Sequence, residues 1–585
     1  MADPSTTAPT GRSTGDRLRA VVPILSWFPT YDRGWWSKDA LAGLTLWGLL
    51  VPQGMAYAGI ADLPPQAGMY TLVVSLFVYA LLGTSRHLSV GPTSATSALL
   101  ASSVAAAVVT GAAGGVVDDQ TYQANAAAFV MVTGVVFLVA GMLKLGFITQ
   151  FLSKPVMDGF VMGLAIFVAV GQLNKLFGVP KPEGNTVRKF LGIIRELPDT
   201  NWAAFGIGLA ALLLLIGLPK VNPRIPAGLV ALFGAILVSS WLDLAEERDV
   251  VVIGILPQGL PSLSFTAVPF EVYVAMVLPA LGVFLVAFSE AAGAAREFSE
   301  RHGYEVDADQ ELTAHGATNF VSSFFGGMIA AGGMSGSAVK EGAGAQTQVS
   351  NLVAWVATVI TLLFLTPLFA SLPESVLAAL IIQAVWSIIA SRKLRRLRRE
   401  SRVEFWFGLL AMLGVLLIGV IEGMIIGLVS SLVFIVYRSS RPHLASVGRV
   451  PGSPGAYSDL DRHPENVAVP GVLILRLHGP MYYANALTVR DRIRALVAAA
   501  DEPLRAVILD IGSQDSMDLT SAEVLKGIGK ELRAAGIEAY LADVHTPALA
   551  FSRAVGLLDV IPEEHVFPTI ELAVRSIEGT TQIAE

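Results

Sequence analysis

The chain has 585 residues, 53% hydrophobic and 15% charged, with a net charge of −7 and a mean hydropathy of +0.61. Soluble proteins average about 25% charged residues, so this is the composition of a membrane protein, and the acidic balance argues against bulk nucleic-acid binding. The absence of cysteine excludes disulfides, thiolate zinc sites and thiol catalysis.

Residues 1–38 begin polar and rich in Ser, Thr and Gly, with no apolar core. That is not a signal peptide; a disordered and then amphipathic cytoplasmic N-terminus is expected. A spanning helix needs about 20 apolar residues, fewer inside a bundle. Runs of this kind fall at 39–60 (containing Pro52-Gln53-Gly54), 66–83, 92–109, 124–144, 154–172, 202–218 and 226–241. An acidic loop follows, and runs resume at 271–290, 310–325, 335–348, 350–370 and 374–390. The block Glu404–Tyr437 would be about 51 Å long as one helix, against about 30 Å of hydrocarbon. It is split at Ile421-Glu422-Gly423 into a hairpin, which makes fourteen segments.

The segment Ser391–Arg402 carries seven basic residues and one acid. By the positive-inside rule it faces the cytoplasm, anchored to lipid headgroups, and an even helix count places both termini there. The membrane expected is the inner (plasma) membrane. Two halves, 39–241 and 271–437, suggest inverted repeats, because the third helix of each begins at a Gly-rich break. Paired interruptions of this kind point to a midplane binding site. A linker at 438–470 and a small soluble α/β domain at 471–580 complete the chain, with strands 472–477, 506–509 and 538–542 alternating with helices.

The breaks carry the chemistry. In Gly91-Pro92-Thr93-Ser94-Ala95-Thr96, proline suits a helix start, and hydroxyls stand beside free backbone N–H groups. In the second break Ser335, Gly336 and Ser337 form the helix start. Helix N-termini attract anions. Small-residue packing between helices is the other reading of both breaks. Lys340 either lends charge to the site or snorkels and pairs with Glu341. Gln53 and Tyr57, four residues apart, share a helix face; they line a pocket or bond neighbouring helices. Glu290 closes an apolar run. It is either a coupling site for H+ or Na+ or an interfacial glutamate paired with Arg296. Thr520 and Glu523 fit a capping box, and Thr520 is also a candidate for phosphorylation. No Ser/His/Asp set, metal cluster or nucleotide loop marks an enzyme, and no cofactor is implied.

Four blocks resemble the SulP family of anion transporters, which includes the sulfate/anion exchangers and prestin: VPQGMAYAGIADLPPQAGMY (51–70), LLGTSRHLSVGPTSATSALL (81–100), HGYEVDADQELTAHGATNFVSSFFGG (302–327) and GGMSGSAVKEGAGAQTQ (332–348). The resemblance implies a polytopic α-helical membrane protein of fourteen segments in two inverted repeats of seven. A core domain (segments 1–4 and 8–11) would move against a gate domain (5–7 and 12–14), and a cytoplasmic STAS domain follows. It implies substrate contacts at Gln53, Tyr57, Thr93, Ser94, Ala95, Ser335, Gly336 and Ser337. It places Glu290 at an acid linked with cation coupling, and Thr520 where STAS relatives carry a phosphorylated serine. A homodimer is the family expectation, and a soluble partner of the STAS domain is a further one. Many animal members have arginine where this chain has Gly336, which reduces the fixed positive charge of the site and favours coupled uptake over exchange. The expectation is a secondary active transporter of a small anion, sulfate or bicarbonate before dicarboxylates, with H+ or Na+ as coupling ion. The alternatives are a passive anion channel or uncoupled exchanger, and an anion sensor signalling through the STAS domain.

Overall fold

Backbone N–H and C=O groups in hydrocarbon must be paired within their own segment, so the apolar runs fold as helices. The computed structural model describes residues 22–111, 118–147, 153–221, 227–264, 268–389 and 393–583. The tail expectation for residues 1–21, and Ser391 and Arg392 of the basic run, lie outside them. Contacts divide the chain into a first unit ending at Ser431 and a second, Leu432–Glu585.

The longer helices in and leading out of the first unit are α1 Trp36–Ile60, α2 Pro65–Leu82, α3 Ser94–Gly111, α4 Asp119–Met142, α5 Lys154–Phe177, α6 Trp202–Val221 and α7 Ala227–Trp241. They continue with α8 Phe270–His302, α9 Ala308–Ser323, α10 Met334–Gly342, α11 Val349–Ile360, α12 Glu374–Ile389, α13 Arg402–Leu417 and α14 Val420–Ser439, which runs across the boundary at Ser431; shorter helices such as Thr186–Glu196 and Lys393–Glu400 lie between them. Seven helical segments among the described residues are long and apolar enough to cross a membrane: α2, α4, α5, α6, α8, α11 continued to Phe369, and α14. Helices α1–α4 pack with α8–α11, and α5–α7 with α12 and α13, while Gly427 of α14 approaches Val156 of α5. Glycines permit the closest crossings. A Cβ on Gly68 would lie 1.9 Å from the carbonyl oxygen of Gly54, and one on Gly159 2.0 Å from that of Gly408. Two short strands, β1 Ser89–Pro92 and β2 Ala330–Gly333, pair antiparallel inside the bundle, Ser89 opposite Gly333 and Pro92 opposite Ala330.

Helix α1 runs unbroken through Pro52. Several boundaries differ from expectation: α4 begins at Asp119 rather than at 124, and α5 continues to Phe177 rather than ending at 172. Helix α8 has 33 residues and continues twelve positions past Glu290 to His302, so Glu290 is within a helix rather than at its end. Helix α10 stops at Gly342 instead of reaching Gln348. The hairpin turns at Ile418-Gly419, and Glu422 lies in the first turn of α14, where a carboxylate is favoured by the helix dipole.

In the second unit the strands β3 Leu444–Arg449, β4 Tyr457–Asp459, β5 Val472–Leu477, β6 Ala506–Asp510, β7 Glu538–Ala542 and β8 Val566–Phe567 form one sheet of order β4-β3-β5-β6-β7-β8. The stretch 438–470 is therefore no plain linker, since it supplies β3 and β4, and β3 pairs with β5. From β5 to β8 neighbours are parallel. Side chains alternate between faces. Leu475, Val507 and Leu509 pack with helices α15 Ala486–Ala498 and α16 Leu519–Ala534, while Ile474, Ile508 and Tyr540 pack with Ala573 and Val574 of a C-terminal helix, Ile570–Ile583.

Candidate functional site

Each strand of the β1–β2 pair leads directly into a helix, β1 into α3 and β2 into α10. Because the strands are antiparallel, the two helices start from opposite ends of one short ladder. The first N–H groups of each have no partner within their own helix.

Thr93 caps α3. Its hydroxyl accepts the Thr96 N–H at 3.2 Å, and the Thr96 hydroxyl accepts the Thr93 N–H at 3.2 Å, a reciprocal arrangement like a capping box. Thr96 also reaches the Ile329 carbonyl at 3.2 Å and is buried, so it ties the two breaks together rather than facing a ligand. Ser94 and Thr93 are half-buried, and Ala95 is buried.

At α10 the N-cap is Gly333, with no side-chain cap. Ser335 is exposed, while Gly336 and Ser337 are buried. The Ser337 hydroxyl donates to the Gly333 carbonyl at 2.7 Å and accepts the Ser89 N–H at 2.8 Å. This hydroxyl thus joins β1 to α10. A Cβ on Gly336 would lie 3.5 Å from Leu46, Leu50 and the Ser89 hydroxyl.

Helix α1 packs against β1, α3 and α10 and so borders both breaks. On it Tyr57 is buried and Gln53 half-buried, and neither side chain has a hydrogen bond among the described residues. Glu290 is half-buried and makes no hydrogen bond or ion pair among the described residues, so the alternative pairing with Arg296 is absent there. The next residue, Ala291, lies against β2: a Cβ on Gly332 would come 2.9 Å from its Cβ. No group of side chains suited to holding a metal ion occurs among the described residues.

Lys340 does not snorkel to Glu341. It is 0% exposed, and its amine donates to Asn351 Oδ1 at 3.0 Å and to the Leu88 carbonyl at 3.4 Å. Glu341 instead pairs with Arg301 and His302, each at 2.7 Å.

Other residues hold the cradle without having been singled out from the sequence. The Asn319 amide donates to the Ala330 carbonyl at 2.9 Å and accepts the Ala330 N–H at 2.8 Å, satisfying a strand residue from the side. Buried Glu311 accepts from Thr84 N–H at 2.7 Å, Thr84 Oγ1 at 2.7 Å, Ser85 N–H at 3.1 Å and Tyr79 Oη at 2.8 Å, fixing the turn before β1. Asp39 accepts from Gln346 and Thr347 N–H groups and the Thr347 hydroxyl, which closes the turn after α10. A buried polar residue in an apolar helix is the one sequence signal they give.

In the second unit Asp518, not Thr520, caps α16, accepting the Ser521 N–H at 2.7 Å. Thr520 is exposed in the first turn.

The sulfate permease family model matches residues 37–411, and the STAS domain model residues 463–573. A probable sulfate transporter of Mycobacterium tuberculosis (strain H37Rv) is 33% identical over 555 residues, 95% of this chain and 98% of the relative. The probable sulfate transporter 4.2 of Arabidopsis thaliana is 30% identical over 579 residues, 96% of this chain and 84% of the relative. Among solved structures, the murine solute carrier 26 family member A9 anion transporter in the inward-facing state aligns with a TM-score of 0.87 at 23% identity, covering 98% of this chain and 97% of that one. The transmembrane domain of the cyanobacterium bicarbonate transporter BicA aligns with a TM-score of 0.58 at 22% identity, covering 68% of this chain and 98% of that one.

Proposed function

This chain belongs to the sulfate permease family of membrane transporters, and from that premise we propose that it is a secondary active transporter of sulfate or bicarbonate. The observation that carries the proposal is the antiparallel β1–β2 pair, which sets the N-termini of α3 and α10 on one ladder. Free N–H groups and the positive ends of both helices would hold the anion. Ser94 and Ser335 would add hydroxyl donors, and Gln53 on α1 an amide. Thr93 and Ser337 position the helix starts from behind, Thr93 through its exchange with Thr96 and Ser337 through Ser89. Alternating access would come from movement of α1–α4 with α8–α11 against the other helices, in a homodimer with both termini cytoplasmic.

Glu290, unpaired among the described residues and next in sequence to Ala291, which lies against β2, is the candidate coupling group for H+ or Na+. The test is gradient-driven uptake by Glu290→Gln in proteoliposomes. Loss of the gradient's effect with anion binding retained supports coupling through this residue. Unchanged stimulation removes Glu290 from the mechanism.

A further inference from the structure

Lys340, read from the sequence as either lending charge to the site or pairing with Glu341, has an unusual placement. Among the described residues no other lysine or arginine is buried. An ammonium taken out of water costs several kcal/mol unless it is compensated, and buried charges are ordinarily paired. Among the described residues Lys340 has only neutral acceptors, Asn351 Oδ1 and the Leu88 carbonyl, and no carboxylate within ion-pair distance. The Asp39 oxygens are already taken by Gln346, Thr347 and Tyr31.

The direction in which this charge is held matters. The carbonyl that accepts from Lys340 belongs to the Leu88–Ser89 peptide, and the N–H of that same peptide donates to Ser337 on α10. Ser337 in turn bonds the N-cap residue Gly333. Lys340 is therefore fixed one helical turn behind Gly336, on the helix whose N-terminus opens the site, and is linked to it by one peptide unit and one hydroxyl.

We infer that Lys340 is the fixed positive charge of the anion site, acting through its field from behind α10 and never touching the ligand. The inference deepens the proposed anion site and rests on it.

A field acts in proportion to ligand charge, and that separates it from a structural role. Sulfate and bicarbonate affinities of the purified full-length protein are measured by titration calorimetry for the parent, Lys340→Met and Lys340→Arg. For Lys340→Met the expected loss is about threefold for bicarbonate and about tenfold for sulfate, a logarithm twice as large for the divalent ion. Lys340→Arg should recover the sulfate preference. Equal losses for the two anions, or unchanged affinities in a folded Lys340→Met protein, overturn the inference. Because binding is read apart from flux, failure of the transport reading would show instead as proteoliposome uptake absent from the parent protein while binding remains.

Discussion

The turn that delivers the chain into β1 hangs on one carboxylate, and its removal has a calculable consequence. Glu311 is 2% exposed and accepts four hydrogen bonds, three of them from Thr84 and Ser85. In Glu311→Gln the retained oxygen can stay on Thr84 and Ser85, while the amide turns to the Tyr79 hydroxyl, which rotates to accept. Charge assistance roughly doubles a hydrogen bond, so its loss costs about 1 kcal/mol per bond. Relief from burying a charge offsets part of this, leaving about 2 kcal/mol. Glu311→Ala strands two backbone N–H groups at about 1–3 kcal/mol each and opens a cavity, for a total of about 5 kcal/mol. Apparent melting temperatures of the purified protein should fall in the order parent, Gln, Ala. Hydrogen exchange at residues 84–92 should accelerate in the same order. A Glu311→Gln protein as stable as the parent, with exchange at 84–92 unchanged, would refute the reasoning.

Two further outcomes follow from the geometry. Gly68→Ala drives a Cβ into the Gly54 carbonyl and should cost at least about 1–3 kcal/mol through overpacking. Gly234→Ala, which meets nothing within 4 Å, should leave the melting temperature unchanged. Asp518→Ala removes the cap of α16 and should lower the stability of the second unit by about 1–2 kcal/mol, whereas Thr520→Ala should be near neutral. Burial pushes the Asp518 carboxyl up, but the N–H groups of Ser521 and Tyr483 outweigh it and hold it below the usual range. A depressed folded value means the cap contributes fully above about pH 4 and fades as pH falls through the folded value. The Asp518→Ala penalty should therefore shrink toward pH 3, and a penalty independent of pH would contradict this.

Both helix breaks were readable because Gly, Pro and Ser leave a visible gap in an apolar run. What each hydroxyl does was not. Ser337 and Thr96 read as ligand donors, yet their partners, Ser89 and Ile329, are 248 and 233 residues away. The clamps escaped for the same reason: Asp39 closes a turn 307 residues on. Lys340 and Glu341 read as partners, but adjacent residues on a helix point apart. Glu422 read as the turn of the hairpin because it is polar, whereas at the start of α14 a carboxylate is favourable. The strands of the second unit were legible where apolar residues predominate, at Val472–Leu477 and Glu538–Ala542. Leu444–Arg449, half of it Ser446, Gly448 and Arg449 and with Pro and Gly close behind, was passed over.

The proposed function requires that this chain move a small anion against its gradient. The most direct measurement is uptake of radiolabelled sulfate and bicarbonate into proteoliposomes, with and without an inward proton or sodium gradient. Saturable uptake, enhanced by one of the two gradients, is the predicted result. Flux that never saturates and ignores both gradients would contradict the claim in favour of a channel, and binding without any flux would contradict it in favour of a sensor.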